Sequence, residues 1–195
     1  EMDLESLSLV ECCIIVLWIM MPAYLANTIA VLTGGKYPID QGKTLADGNR
    51  ILGDGKTWSG LVGGTLGGVM IGYAQLNFGN NFIQPIVKNI PEDLWGDSPF
   101  IIFFLLSFGA LFGDMSASFF KRRSNLKRGD KSPLMDMFDF VGMALILTLI
   151  FGNGWIQSWL FDGFGPLFTL VLLTPILHRG VNIIGFKIGV KNEPW

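Results

Sequence analysis

Residues 99–151 read PFIIFFLLSFGALFGDMSASFF, then KRRSNLKRGDKSP, then LMDMFDFVGMALILTLIF. Two apolar blocks, each close to the roughly 20 residues that a helix needs to cross a hydrocarbon core, flank a short loop dense in cations. That alternation predicts an all-α, polytopic integral membrane fold. Outward from it, three further apolar segments qualify as spans: about 7–32, 58–78 and 164–184, beside 99–120 and 134–151. The chain reads as a single membrane domain over 1–195, with loops at 33–57 and 121–133.

The distribution of charge supports this. Only 15% of the 195 residues are charged, against about a quarter in soluble domains, and the charge is missing from whole blocks. The net charge of −2 carries no signal for a nucleic-acid partner. With five spans, Lys36, Lys43, Arg50, Lys56, the cations of 121–131, Arg179, Lys187 and Lys191 fall on one side and Lys88 alone on the other. The positive-inside rule then places the N-terminus outside and the C-terminus and both loops in the cytoplasm. The acidic start (Glu1, Asp3, Glu5), with no A-x-A-like site after the first apolar run, speaks against a cleavable signal peptide. Cys12 and Cys13 are adjacent in an apolar run and offer no disulfide framework, and the lone His178 excludes a multi-histidine zinc site or relay. In the second span Gly60, Gly64, Gly68 and Gly72 recur every four residues. Such a stripe suits a close helix–helix seam; the same stripe could serve a homo-oligomer contact or a groove for a lipid tail.

The chemistry concentrates in Asp114–Asp139. An ionisable residue at membrane depth, such as Asp114, is costly and marks a candidate site. Pro133 suits a first helical turn, which places Asp136 and Asp139, three apart, on one face of the start of the fourth span. A helix dipole accounts for one acid there, but not for two opposite Asp114. Three carboxylates beside Lys121, Arg122, Arg123, Lys127, Arg128 and Lys131 suit metal-bound polyphosphate, with hard oxygen ligands for Mg²⁺ and cations for the remaining phosphate charge. The cations alone would need only the positive-inside rule. In the first loop, Gly55-Lys56-Thr57 precedes a helix start and could cradle an anion through free N–H groups. It is not a P-loop, because Arg50 stands where that motif requires glycine.

These segments together resemble the CDP-archaeol synthase family, relatives of the CDP-diacylglycerol synthases. The resemblance rests on Pro22–Asn27, Gly53–Gly60, Gly113-Asp114-Met115, Ser118–Arg122, Lys127–Pro133 and Asp136–Asp139. Ser118, Lys121, Arg122, Lys127, Pro133, Asp136 and Asp139 match the wider CDP-diacylglycerol synthase signature in order. Arg128 stands where that signature has aspartate, with Asp130 two residues on, and its glycine/histidine run is absent. The resemblance implies a CTP-dependent cytidylyltransferase, with 2,3-bis-O-geranylgeranylglycerol 1-phosphate as acceptor and a CDP-activated lipid and pyrophosphate as products. It implies Asp114, Asp136 and Asp139 on Mg²⁺ (two ions), and Lys121, Arg122, Lys127 and Lys131 on the phosphates of CTP or the acceptor. It also implies Gly55, Lys56 and Thr57 on the triphosphate and Asn27 in the nucleotide pocket.

Two alternatives remain at this level: an enzyme of the same type acting on another lipid phosphate, or a small transporter. CDP-alcohol phosphotransferases are excluded. Asp47-Gly48-Asn49-Arg50 mimics only the first part of their motif, and their later aspartates are four apart rather than three.

Overall fold

The structure, a computed structural model, describes residues 8–87, 93–126, 133–161, 165–187 and 189, without the side chains of 80, 133–136, 181, 182, 184 and 185. Five long helices lie over the five apolar segments. They are α1 (Leu9–Thr33), α2 (Trp58–Ile83), α3 (Pro99–Arg123), α4 (Pro133–Phe151) and α6 (Gly165–Lys187). A four-residue helix, α5 (Gln157–Leu160), was not legible in the sequence. Among the described residues the remaining regular pairing is two isolated β-bridges, Pro38 with Thr57 and Thr44 with Arg50. By length and apolar composition α1 and α3 can each cross a membrane; the described apolar part of α4, Met137–Phe151, is shorter.

Local sequence sets the helix ends. Ser8 and Glu11 form a reciprocal capping box, in which Ser8 N donates to Glu11 Oε2 at 3.0 Å and Glu11 N to Ser8 Oγ at 3.3 Å. At the start of α2, Thr57 Oγ1 accepts from Gly60 N at 3.2 Å and Gly35 N at 3.3 Å. It caps the helix and ties the loop end to it.

The glycine stripe of α2 is filled by this chain's own helices. A Cβ on Gly64 would come 2.7 Å from the Ala26 carbonyl oxygen and 2.9 Å from Leu111 Cδ1. One on Gly68 would come 2.7 Å from both the Pro22 carbonyl oxygen and Ser107 Cβ. The stripe therefore seats α2 against α1 and α3. The homo-oligomer contact and the lipid-tail groove that the stripe also suggested have no room on it. A second close approach joins α3 to α4: Cβ atoms on Gly109 and Gly113 would come 2.7 Å from Ala144 Cα and 2.8 Å from the Asp139 carbonyl carbon. The core between these seams holds Val16, Ile19, Met20, Phe103, Leu106, Ile156 and Trp159, all buried. Each such side chain contributes about 1.5–3 kcal/mol in a water-exposed reference; in lipid, close van der Waals contact replaces that driving force.

Candidate active site

The loop between α1 and α2, residues 34–57, has a buried charge at its centre. The Asp40 side chain is fully excluded from solvent, and Arg50 faces it at 2.6 Å. Arg50 Nε and Nη2 donate to its two oxygens at 3.1 and 2.6 Å. The backbone N–H groups of Gly42, Leu52 and Gly53 donate as well, at 3.1, 3.0 and 2.8 Å. Burial by itself pushes the Asp40 carboxyl up; the Arg50 bonds and the N–H groups of Gly53, Leu52 and Gly42 together outweigh it and hold the group well below the usual carboxylate range. Bonds to Asp40 first, and then to Asp54, push the Arg50 guanidinium above its already high value.

The C-terminal end of α3 grips this loop. Arg123 Nη1 donates to Asp47 Oδ1 at 2.9 Å, and Nη2 to the carbonyls of Asn49 and Arg50 at 3.2 and 2.6 Å. Asn49 Nδ2 donates to Asn125 Oδ1 at 2.8 Å. Arg122 lies over Gly53, where an added Cβ would sit 3.5 Å from Arg122 Nε, and Arg122 also donates to the Leu126 carbonyl. Gly53, at φ +95°, adopts a backbone that glycine favours. Past it the chain turns, with Lys56 N donating to the Gly53 carbonyl at 3.3 Å. The Lys56 ammonium then pairs with the Asp114 carboxylate on α3.

The close approach of Gly113 to the Asp139 backbone brings the Asp114 turn of α3 against α4. Asp139 Oδ1 accepts from the N–H of Phe140 at 2.6 Å. Phe140 stacks on His178 and meets the edge of Tyr24, with ring centroids 6.1 and 5.8 Å apart. Tyr24 also hydrogen-bonds Thr174 on α6 at 3.1 Å. Asn27 lies one helical turn beyond Tyr24, on the same side of α1. Its Oδ1 is buried without a hydrogen-bond partner among the described residues, which costs about 1–3 kcal/mol until a donor reaches it.

The structure thus gathers Lys56, Asp114 and Arg122 with the loop carrying the exposed Gly55, and sets Asp139 on the neighbouring helix. Lys121 occupies the last turn of α3. Thr57 is 5% exposed, and its hydroxyl oxygen accepts from Gly60 N and Gly35 N at the cap of α2. Lys127, Asp130 and Lys131 lie outside the described residues, as does the side chain of Asp136, whose backbone is in α4. Among the described residues no three acidic, histidine or cysteine side chains gather at metal-binding distance.

A cleft at the other end of α3, about 25 Å along that helix by its rise per residue, is lined by Asp93, Asp97, Trp95 and Trp155. Among the described residues no lysine or arginine lines it. Sequence reasoning missed Asp40, Arg50 and Arg123 as organisers. Their signal was weak: an acid in Asp40-Gln41-Gly42 and arginines that topology alone explained.

Comparison with known proteins decides what this arrangement belongs to. Residues 9–195 match the family model described as CarS-like, CDP-archaeol synthase. The chain belongs to the CDP-archaeol synthase family. The CDP-archaeol synthase of Methanospirillum hungatei is 46% identical over 177 residues, covering 90% of this chain and all of that protein. That of Archaeoglobus fulgidus is 39% identical over 185 residues, covering 92% and 96%. A solved structure of an intramembrane enzyme for archaeal membrane lipid biosynthesis superposes with a TM-score of 0.60 at 34% identity, covering 86% of this chain and 92% of that one. In this CDP-archaeol synthase family member, the described predicted residues Lys56, Asp114 and Arg122 lie where the loop 34–57 meets α3.

Proposed function

We propose that this chain transfers CMP from CTP to 2,3-bis-O-geranylgeranylglycerol 1-phosphate, giving the unsaturated CDP-archaeol and pyrophosphate in archaeal membrane phospholipid synthesis. The observation that carries the reading is the pairing of Lys56 with Asp114, at the end of a turn whose Gly53 lies under Arg122, in a CDP-archaeol synthase family chain.

The attacking group is an oxygen of the lipid phosphate monoester. Its second pKa is about 6, so at neutral pH it is largely a dianion and needs no strong general base. That agrees with a site holding no cysteine and no nearby second histidine. The new bond forms between this oxygen and the α-phosphorus of CTP as the α–β phosphoanhydride bond breaks, and pyrophosphate leaves. The protein's task is positioning and charge neutralisation. Lys56, Lys121, Arg122, Lys127 and Lys131 take phosphate charge, and Gly55 lets the backbone approach the triphosphate. Thr57 supports that loop from beneath, and Asn27 offers its unpaired carbonyl to a donor on the nucleotide.

Carboxylates from two packed helices fit Mg²⁺, which binds one or two carboxylates and completes its shell with waters and substrate phosphates. Asp114, Asp136 and Asp139 would hold it. As two bound ions it would supply charge neutralisation and in-line alignment of the reacting oxygens. The five long helices each cross the cell membrane, with the N-terminus outside and both loops and the C-terminus in the cytoplasm. The chain is one membrane domain whose active site faces the cytoplasm, while the lipid tails stay in the bilayer.

The test is thermal unfolding in detergent with Mg²⁺ and each of CTP, ATP, GTP and UTP. CTP is expected to raise the midpoint, in a Mg²⁺-dependent way, well beyond the other three. Equal effects from all four, or none from CTP, would remove the nucleotide assignment and favour a transporter.

A further inference from the structure

A loop without helix or strand gains little from burying a charge, since an isolated buried ion costs several kcal/mol. Yet Asp40 is fully buried in the loop 34–57 and, besides the Gly42 N–H, collects its donors from one short stretch: the Arg50 side chain and the Leu52 and Gly53 N–H groups. That stretch leads directly into the site. Gly53, fixed by Asp40 at its N–H, offers its carbonyl to Lys56 N three residues on. Lys56 then reaches Asp114, 58 residues away in sequence. On its other side, Arg50 binds Asp54 Oδ1 at 2.8 Å, and its carbonyl is held by Arg123. Gly53 itself lies under Arg122. The Asp40–Arg50 pair therefore fixes Gly53 and Asp54, the first two residues of the turn that presents Lys56.

We propose that Asp40 and Arg50 are positioning residues for the CMP transfer, holding the Gly53–Lys56 turn so that Lys56 meets Asp114 and the incoming phosphates, without touching a reactant themselves. This rests on the reaction proposed above. A pair serving fold stability alone would weaken the protein without coupling to Lys56.

Two measurements on the full-length protein in detergent decide this. The first is a cycle of D40N, K56M and the double variant, with kcat/KM read from CTP-dependent pyrophosphate release. A misplacement of about 1 Å costs about 100-fold, so D40N and K56M are each expected to lose about that much. The double variant is expected to lie within about threefold of K56M alone, because coupled residues are non-additive. Losses that multiply in the double variant, or a D40N enzyme within about threefold of wild type, overturn the proposal. The second makes no use of the reaction. Lys56 is labelled with an amine-acylating reagent and read by mass spectrometry; its side chain is 20% exposed beside Asp114, and D40N is expected to speed its labelling several-fold. An unchanged rate overturns the proposal. If wild type releases no pyrophosphate, the proposed reaction has failed, and the labelling still decides the positioning role. Should D40N not fold, R50Q carries both measurements with the same expected outcomes.

Discussion

A methyl group added at Gly113 tests the close approach of α3, next to Asp114, to the α4 backbone at Asp139. Its Cβ would lie 2.8 Å from the Asp139 carbonyl carbon and 2.9 Å from Met143 Cβ. Carbon atoms in contact sit about 3.5–4.0 Å apart, so α4 must move away from α3 by about 1 Å at Asp139. The obstacle is helix backbone, which cannot rotate aside as a side chain can. Overpacking of this kind costs about 1–3 kcal/mol, offset by the roughly 1 kcal/mol that alanine gains over glycine within a helix. Stability should therefore change little, while a 1 Å displacement at a site of transferred charge costs about 100-fold in rate. The assay is CTP- and Mg²⁺-dependent pyrophosphate release, with thermal unfolding of the same preparations. Gly142 is an internal control on α4, because a Cβ there meets nothing within 4 Å. G142A is expected to match wild type and G113A to lose about two orders of magnitude in kcat/KM. If G113A turns over within threefold of wild type, the Gly113–Asp139 approach does not set the site.

Three further outcomes follow from the same geometry. D136N and D139N keep side-chain size and remove charge, so each is expected to abolish turnover, by at least about 100-fold, with unfolding midpoints near wild type; near-normal rates in both would end the metal assignment. Chelation by EDTA is expected to stop turnover and to remove the stabilisation by CTP, both returning with Mg²⁺; activity that persists through exhaustive chelation counts against the Mg²⁺ site. For pH, the folded Asp40 carboxyl is held below its unfolded value of about 3.9, so its contribution is complete above that value and is lost as pH falls through and below it. The stability gap between wild type and D40N should stay constant from pH 7 to 5 and close by about 1 kcal/mol per unit below about pH 4; a gap that stays flat down to pH 3 refutes the buried-carboxylate account.

How far the sequence disclosed this molecule depended on whether the determining contact was local. The long apolar blocks gave the five helices because a continuous apolar stretch of that length leaves the backbone few alternatives to internal hydrogen bonding. Asp114 stood out because charge at that depth is costly. The Lys56–Asp114 pair was not legible as a pair, because nothing near either residue encodes a partner 58 positions away. Gly55-Lys56-Thr57 invites a phosphate-loop reading of all three residues; that the Thr57 oxygen also accepts two backbone N–H bonds at the N-cap of α2 was not legible, because one donor, Gly35, is 22 residues away. The stripe Gly60–Gly72 announced a close approach without saying to what; packing against α1 and α3 answered that. Arg50 and Arg123 read as topology signals because the positive-inside rule explains any loop cation. Only the fold shows that one binds a buried carboxylate and the other binds backbone carbonyls.

The central claim is the transfer itself. Purified protein is mixed with CTP radiolabelled at the α-phosphorus, Mg²⁺ and 2,3-bis-O-geranylgeranylglycerol 1-phosphate in detergent, and both products are followed. The account predicts that label enters the lipid fraction in step with pyrophosphate release, one for one, and that neither occurs without the lipid phosphate or without Mg²⁺. Pyrophosphate or CMP released with no labelled lipid, or no release at all from folded protein, contradicts it.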